Sequence, residues 1–409
     1  MDELFQIVTM IIPKAGIQVG NVPLTANMIL LAMVLIKNPN QAILSIQRRR
    51  GLGICYGIFV VFGIITFLLG TAEGFSAFRL AQIITVLASP LAGVIALRTS
   101  PERSLKILTL ALLLVNFYAL LQFIIGIDQT AIPGITYTYG QDLATKTNGV
   151  GMSKLASAQK MPSTFQVGNS LGIFDALGIS LILIWKPQTQ SWRMARYCAI
   201  AAGFIGIVLC GSRSTIIPFA LVALLLLFQR FKATVPRMRG TYIAGTSLAI
   251  TAGIVYVLLF QRPIIEQFLT RNLTQTLADP TAAGRTDQWS AMAQGIAGLS
   301  TPQLVRLIFF GQGASYDLGG EGLPTFFTTF GLFGTVAFYG MLIMAIVYLW
   351  RNVRTRTVAL GVFCVFFAFL VDSSFYYPPN VMMVFIIVGI AFSNVRADSD
   401  VAESPQRTN

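Results

Sequence analysis

Apolar stretches about as long as a bilayer is thick recur through the whole chain, and no other feature restricts its fold as severely. A helix needs about 20 predominantly apolar residues to cross the hydrocarbon core. Runs near that length fall at about 22–36, 52–71, 79–97, 105–127, 169–185, 197–210, 214–229, 241–260, 325–349, 357–371 and 381–394. In lipid every backbone N–H and C=O must be satisfied within the segment, so these runs read as helices. The opening "ELFQIVTMIIP" is apolar too, but Pro13 and Lys14 cut it short, which makes it either an interfacial helix or one more span. The expectation is an all-α polytopic membrane protein, one integral membrane domain over residues 1–409 with about 11–12 transmembrane helices. With 55% hydrophobic residues, 11% charged and a mean hydropathy of +0.71, the chain is too apolar for a soluble domain of its length. The first residues are acidic and no small-residue cleavage site follows them, so no cleavable signal peptide is expected.

The net charge of +13 would suit a nucleic-acid binder, but the basic residues fall in alternate short loops. Lys37 with Arg48, Arg49 and Arg50 form one group, Arg98, Arg103 and Lys106 the next, and Lys186, Arg193 and Arg196 a third. Arg230, Lys232, Arg237 and Arg239, and then Arg351, Arg354 and Arg356, complete the series. That is the pattern of cytoplasmic loops, and it argues against nucleic acid as a partner. The remaining loops then face outward, two of them long, at 128–168 and 261–323, while the polar tail 395–409 stays inside. The large second loop is expected to cap the outer face of the bundle. Within it, Trp289, Met292, Ile296 and Leu299 share one face of a helix opened by "GRTDQW".

Cys55, Cys198, Cys210 and Cys364 lie in or at the ends of the spans and read as packing residues rather than disulfides. Histidine is absent from all 409 residues, which removes the commonest general base at neutral pH. Chemistry must then use carboxylates, arginines, lysines or hydroxyls. No metal-ligand or nucleotide-binding motif occurs, so neither a metal nor a cofactor is expected. No repeat at fixed period is evident, which weakens an inverted-repeat transporter.

Three residues could carry chemistry. Arg213 stands in "LCGSRSTIIPF" between two apolar runs, where it either snorkels to water or binds an anion. Ser212 and Ser214 flank it with hydroxyls, and the next helix, read as starting at Thr215 with Pro218 in its first turn, turns free N–H groups toward it. Arg285 near a helix start opposes the macrodipole, so it either pairs with Asp279 or Asp287 or binds an anion. Glu321 in "GGEGLP" is either a solvated turn residue or a base, with Asp317 its rival. Asp175 and Asp372, acids in or beside spans, are read as structural partners of Arg213 or Arg79.

Four stretches together resemble the O-antigen polymerase and O-antigen ligase superfamily of bacterial membrane glycosyltransferases. They are "PSTFQVGNSLGIF", "LCGSRSTIIPFALVALLLL", "AAGRTDQWSAMAQGI", and "FFGQGAS" followed by "TFFTTFGLFGTVAFYGML", in an order similar to the family's over roughly residues 100–350. The resemblance implies transfer of a glycan from a polyprenyl diphosphate carrier on the outer face of the cytoplasmic membrane, without nucleotide sugar or metal. It puts Arg213 and Arg285 on the diphosphate and Glu321 at acceptor activation. Arg79, Ser212, Ser214, Trp289, Gly311, Gln312, Gly313 and Asp317 are the residues expected to bind substrate. A flippase and a chain-length regulator are the implied partners besides the bilayer. The family's ligases carry a histidine at the place that falls here at about Gly320 and Glu321. Its absence favours the polymerase over the ligase; a flippase or transporter for a lipid-linked substrate is the alternative outside the class.

Overall fold

The computed structural model of the chain describes residues 1–20, 22–37, 39, 50–71, 77–141, 160–233, 285–312 and 321–403. The span expected at 241–260 lies outside them. Among the described residues, five helices are long and apolar enough to cross a membrane. Four fall within α3 (Arg50–Thr71), α5 (Pro101–Ile125), α8 (Gln190–Leu209) and α12 (Leu323–Arg351), and the fifth, Val353–Val371, joins a short 3-10 turn to α13 (Arg356–Val371). Shorter apolar helical segments stand among them, Ala26–Lys37, Leu80–Ala96, Gly168–Ile182, Arg213–Leu224 and Pro379–Asn394, which belong to α2 (Ala26–Lys37), α4 (Ala77–Ala96), α7 (Gly168–Ile182), α9 (Arg213–Ala233) and α14 (Pro378–Glu403). The remaining helices are α1 (Asp2–Ile11), α6 (Ile127–Thr130), α10 (Arg285–Ala297) and α11 (Thr301–Phe310).

The exposed face of α3 shows what solvent this bundle is built for. Ile54, Ile58, Val61, Ile64 and Leu68 recur at helical spacing and are all exposed, while Phe59 and Thr66 on the other face are buried. A stripe of bare isoleucine and leucine that long is stable against lipid tails and not against water.

At the centre lies α7, every residue of which is buried. Its small residues let neighbours approach closely: Gly172 lies against Cys210 and Thr215, and Gly178 against Leu112. Helices α5, α8, α9, α13 and α14 surround it. A second packing unit joins α3 to α12 through Phe59, Phe326, Phe330 and Phe338, whose ring centroids lie 4.6–6.3 Å apart.

Four features differ from the sequence expectation. The run at 22–36 begins as a strand, because Val22–Thr25 pairs antiparallel with Gly16–Val19 in a two-stranded hairpin ahead of α2. Among the described residues the chain is helical apart from this short hairpin, consistent with an all-α membrane protein. The opening stretch is a short helix rather than one more span. Ten residues of helix reach about 15 Å, and Asp2 and Glu3 in its first turn pair with Arg98 at 3.3 Å and Arg103 at 3.0 Å, while Gln6 Nε2 donates to Thr99 Oγ1 at 2.8 Å. Helix α9 starts at Arg213 instead of Thr215, since the Ser212 carbonyl already accepts from Ile216 N at 2.8 Å; Pro218 falls in the second turn. Helix α14 continues through 395–403, so the tail is helical for its first residues.

Candidate functional site

Four connections meet at one end of the bundle: the loop 160–167 ahead of α7, the turn between α8 and α9, the residues Glu321 and Gly322 ahead of α12, and the turn Asp372–Tyr377 between α13 and α14. The first of these is held under strain. Ser163 has φ +54, a conformation unfavourable for a residue with a side chain. Gln122 of α5 fixes it from both sides: its Oε1 accepts from Ser163 N at 2.8 Å and its Nε2 donates to Ser163 O at 3.2 Å, while Ser163 Oγ donates to Val115 O at 2.6 Å. In the same loop Thr164 Oγ1 and Gln166 Oε1 are buried without a hydrogen-bond partner among the described residues.

From this loop a polar chain runs across the bundle end. Lys160 Nζ donates to Asn169 Oδ1 at 3.1 Å, and Asn169 Nδ2 donates to Asp372 Oδ2. The other oxygen of Asp372 accepts from Ser374 N at 2.8 Å and from Ser374 Oγ. Asn380 Nδ2, at the start of α14, donates to Ser374 O at 2.9 Å and to Ser170 Oγ. Ser373 Oγ accepts from Gly322 N at 3.0 Å, which ties the chain to Glu321. Trp289 on α10 arrives from the other side, its Nε1 donating to Glu321 O at 3.3 Å.

Arg213 borders this chain. Met161 N donates to Leu209 O at 3.1 Å, and Gly168 lies against both Lys160 and Cys210, the latter three residues from Arg213. Arg213 is half-buried and makes no hydrogen bond or ion pair with a described residue. Neither acid read as its partner holds it: Asp175 bonds Asn116, and Asp372 bonds Asn169 and Ser374. The two serines beside it are turned inward. Ser212 Oγ and Ser214 Oγ are 2.9 Å apart and Thr215 Oγ1 donates to Ser212 Oγ at 3.3 Å, so these hydroxyls brace the turn.

The other expected site residues fall as follows. Arg285 opens α10 and Arg79 lies in the first turn of α4, their side chains outside what the structure describes; α4 packs beside Ser373–Tyr376. Gly313 and Asp317 lie outside the described residues. Gly311 and Gln312 are buried against a kink in α12, where Gln312 N donates to Thr328 O at 2.8 Å. The helix face expected from Trp289, Met292, Ile296 and Leu299 buries only Met292; Trp289 stays exposed and Leu299 lies past the helix end. Sequence reasoning missed Gln122, Lys160, Asn169 and Ser374. A glutamine inside an otherwise apolar run was the one readable signal among them.

Opposite charges share the polar chain, since Lys160 and Asp372 both bond Asn169, and Glu321 stands beside it next to Gly322, which donates to Ser373. Burial first, then the charges of Asp372 and Glu321, push the Tyr377 phenol up to about 12. The folded state therefore holds this proton more tightly than the unfolded chain, whose tyrosines titrate near 10. The stability tied to Tyr377 is fully present below about pH 10 and is lost as pH rises toward 12. A phenolate titration of wild type minus Tyr377→Phe is expected to show one component with a midpoint near 12; a midpoint near 10 would mean that neither burial nor the two acids act on this phenol.

Among the described residues no cluster of cysteine, aspartate and glutamate could hold a metal ion. No protein-family model matches the chain and no curated protein is similar to it. The class these features define is a multi-helix membrane protein with a polar site at one end of its bundle.

Proposed function

We propose that the chain is a glycosyltransferase of the cytoplasmic membrane that joins polyprenyl-diphosphate-linked oligosaccharide repeats into a surface polysaccharide, with its site facing away from the cytoplasm. The observation that carries this reading is Arg213, a half-buried guanidinium without a hydrogen bond or ion pair to any described residue, beside a bundle end that also holds two carboxylates. A planar fork of donors left open at a helix N-terminus suits a phosphate. The unpartnered polar atoms of Thr164 and Gln166 nearby suit the hydroxyls of a sugar, because a buried group without a partner gains most from a ligand that supplies one.

In the proposed reaction an acceptor sugar hydroxyl attacks the anomeric carbon of the donor. The bond from that carbon to the diphosphate oxygen breaks as the new glycosidic bond forms. The hydroxyl proton passes to Glu321, and the leaving diphosphate keeps the electron pair, its growing charge held by Arg213 and Arg285. Trp289, bonded to the Glu321 carbonyl and exposed, offers a ring face for a sugar. The apolar exterior gives the polyprenyl chain access from the bilayer.

The test uses the purified chain in lipid with a synthetic polyprenyl diphosphate oligosaccharide as the only substrate, without nucleotide or added metal, and separates products by size. A ladder of repeats with release of polyprenyl diphosphate is expected. Transfer only after addition of a lipid A core acceptor would make it a ligase, and no transfer in either mixture would return the reading to a transporter of lipid-linked substrate.

A further inference from the structure

The proposed reaction leaves one fully buried acid unused. Asp175 lies at the middle of α7, and its Oδ1 accepts from Asn116 Nδ2 of α5 at 2.7 Å. The same nitrogen donates to Leu112 O at 2.9 Å, which fixes the amide's orientation. The remaining oxygens of the pair, Asp175 Oδ2 and Asn116 Oδ1, are both buried with no hydrogen-bond partner among the described residues. They converge on one spot against Gly206 of α8, where a Cβ would overlap both. The carboxyl and the amide therefore meet edge to edge, an N–H···O bond on one edge and oxygen against oxygen on the other.

Turning the amide over does not remove the conflict. It would only change which carboxyl oxygen faces the amide oxygen, and it would give up the bond to Leu112 O. Neither residue has an ion-pair partner among the described residues, and the hydrogen bond from Asn116 is the only stabilising contact of the carboxyl there. An ionised carboxylate in that place would be an uncompensated charge in a medium that solvates charge poorly. One proton resolves the geometry and the charge together.

We propose that Asp175 holds a proton in the folded protein and donates it from Oδ2 to Asn116 Oδ1, closing a two-bond ring that clamps α5 to α7 in the space Gly206 leaves on α8. Both orphaned oxygens are then satisfied and the bundle centre carries no charge. The proton is part of the architecture rather than in transit, so Asp175 is not a relay for transport. This inference does not depend on the glycosyl-transfer reading.

The test is the isotope-edited infrared spectrum of the full chain in lipid at pH 7, labelled with ¹³C-aspartate. A protonated-carboxyl carbonyl band that shifts with the label is expected, with slow response to D2O because the ring is buried. Asp175→Asn, which offers the same donor and acceptor without charge, is expected to lose that band and keep the wild-type melting temperature. Asp175→Ala and Gly206→Ala are expected to lower the melting temperature. The wild-type spectrum needs no variant and stands even if a substitution prevents insertion. A wild-type spectrum without a labelled protonated-carboxyl band overturns the proposal, as does a band that survives in Asp175→Asn, or a loss of stability in Asp175→Asn equal to that of Asp175→Ala.

Discussion

Arg213→Ala is expected to cut polymer formation by about a hundred- to a thousand-fold, the usual cost of removing one group that stabilises charge developing in a transition state. Folding is expected to survive unchanged, and this separates the prediction from general damage. The guanidinium makes no hydrogen bond or ion pair with a described residue, and the turn that carries it is braced by Ser212, Ser214 and Thr215. Truncating Arg213 at Cβ leaves those bonds in place, so the melting temperature and membrane yield should match wild type. Arg213→Lys keeps a cation but loses the planar fork, and activity between wild type and alanine is expected. The measurement is the repeat ladder from polyprenyl diphosphate oligosaccharide at equal protein, with thermal unfolding of the same preparations. Full activity in Arg213→Ala would mean that the side chain only snorkels to water.

The sequence announces the helices because lipid imposes one rule on every segment: long, apolar and internally hydrogen-bonded. It announces the hairpin less clearly, since Val22, Leu24 and Thr25 suit a strand as well as the start of a helix, and the Gly20–Asn21 pair between the two short runs was the available turn signal. The site was legible in part. Trp289 and Glu321, far apart in sequence and both singled out, meet through the Trp289 Nε1 bond. The direction in which Ser212 and Ser214 point was not legible, because a hydroxyl beside an arginine can serve a ligand or the turn, and here it serves the turn. The link from Lys160 through Asn169 to Asp372 spans more than 200 residues of chain and depends on how α7 and α13 pack, which no local pattern encodes.

Gly331→Ala is expected to destabilise the protein by about 4 kcal/mol or more, a loss reserved for substitutions that force backbone against backbone. The glycine sits inside α12 with φ +66 and ψ −174, a region open almost only to glycine, and the helix kinks there. Adopting that conformation alone costs another residue about 1–3 kcal/mol. The rest comes from what lies opposite. A Cβ at Gly331 would stand 2.5 Å from the carbonyl carbon of Phe309 and from Phe310 N, atoms that end α11 and cannot rotate away as a side chain would. Gly311, at φ +74, meets the kink from the other side, its own Cβ position 2.6 Å from Gly331 N and overlapping the Thr329 carbonyl. The stretches "FFGQG" and "TFGLFG" are thus one joint: two glycines interlock, Gln312 N donates to Thr328 O, and Phe309, Phe310 and Phe333 seal it against Phe62 of α3. Because both substitutions relieve or strain the same contact, Gly311→Ala and Gly331→Ala should be non-additive, the pair costing less than the two single losses together. Gly340→Ala in the same helix is the control. Its Cβ would meet Cys55 Sγ at 3.4 Å, an ordinary contact, so it should fold with wild-type stability. Thermal unfolding of the wild type and the four variants in one lipid mixture decides the matter. Wild-type stability in Gly331→Ala would mean that α12 straightens without penalty and that the joint does not hold α11 in place.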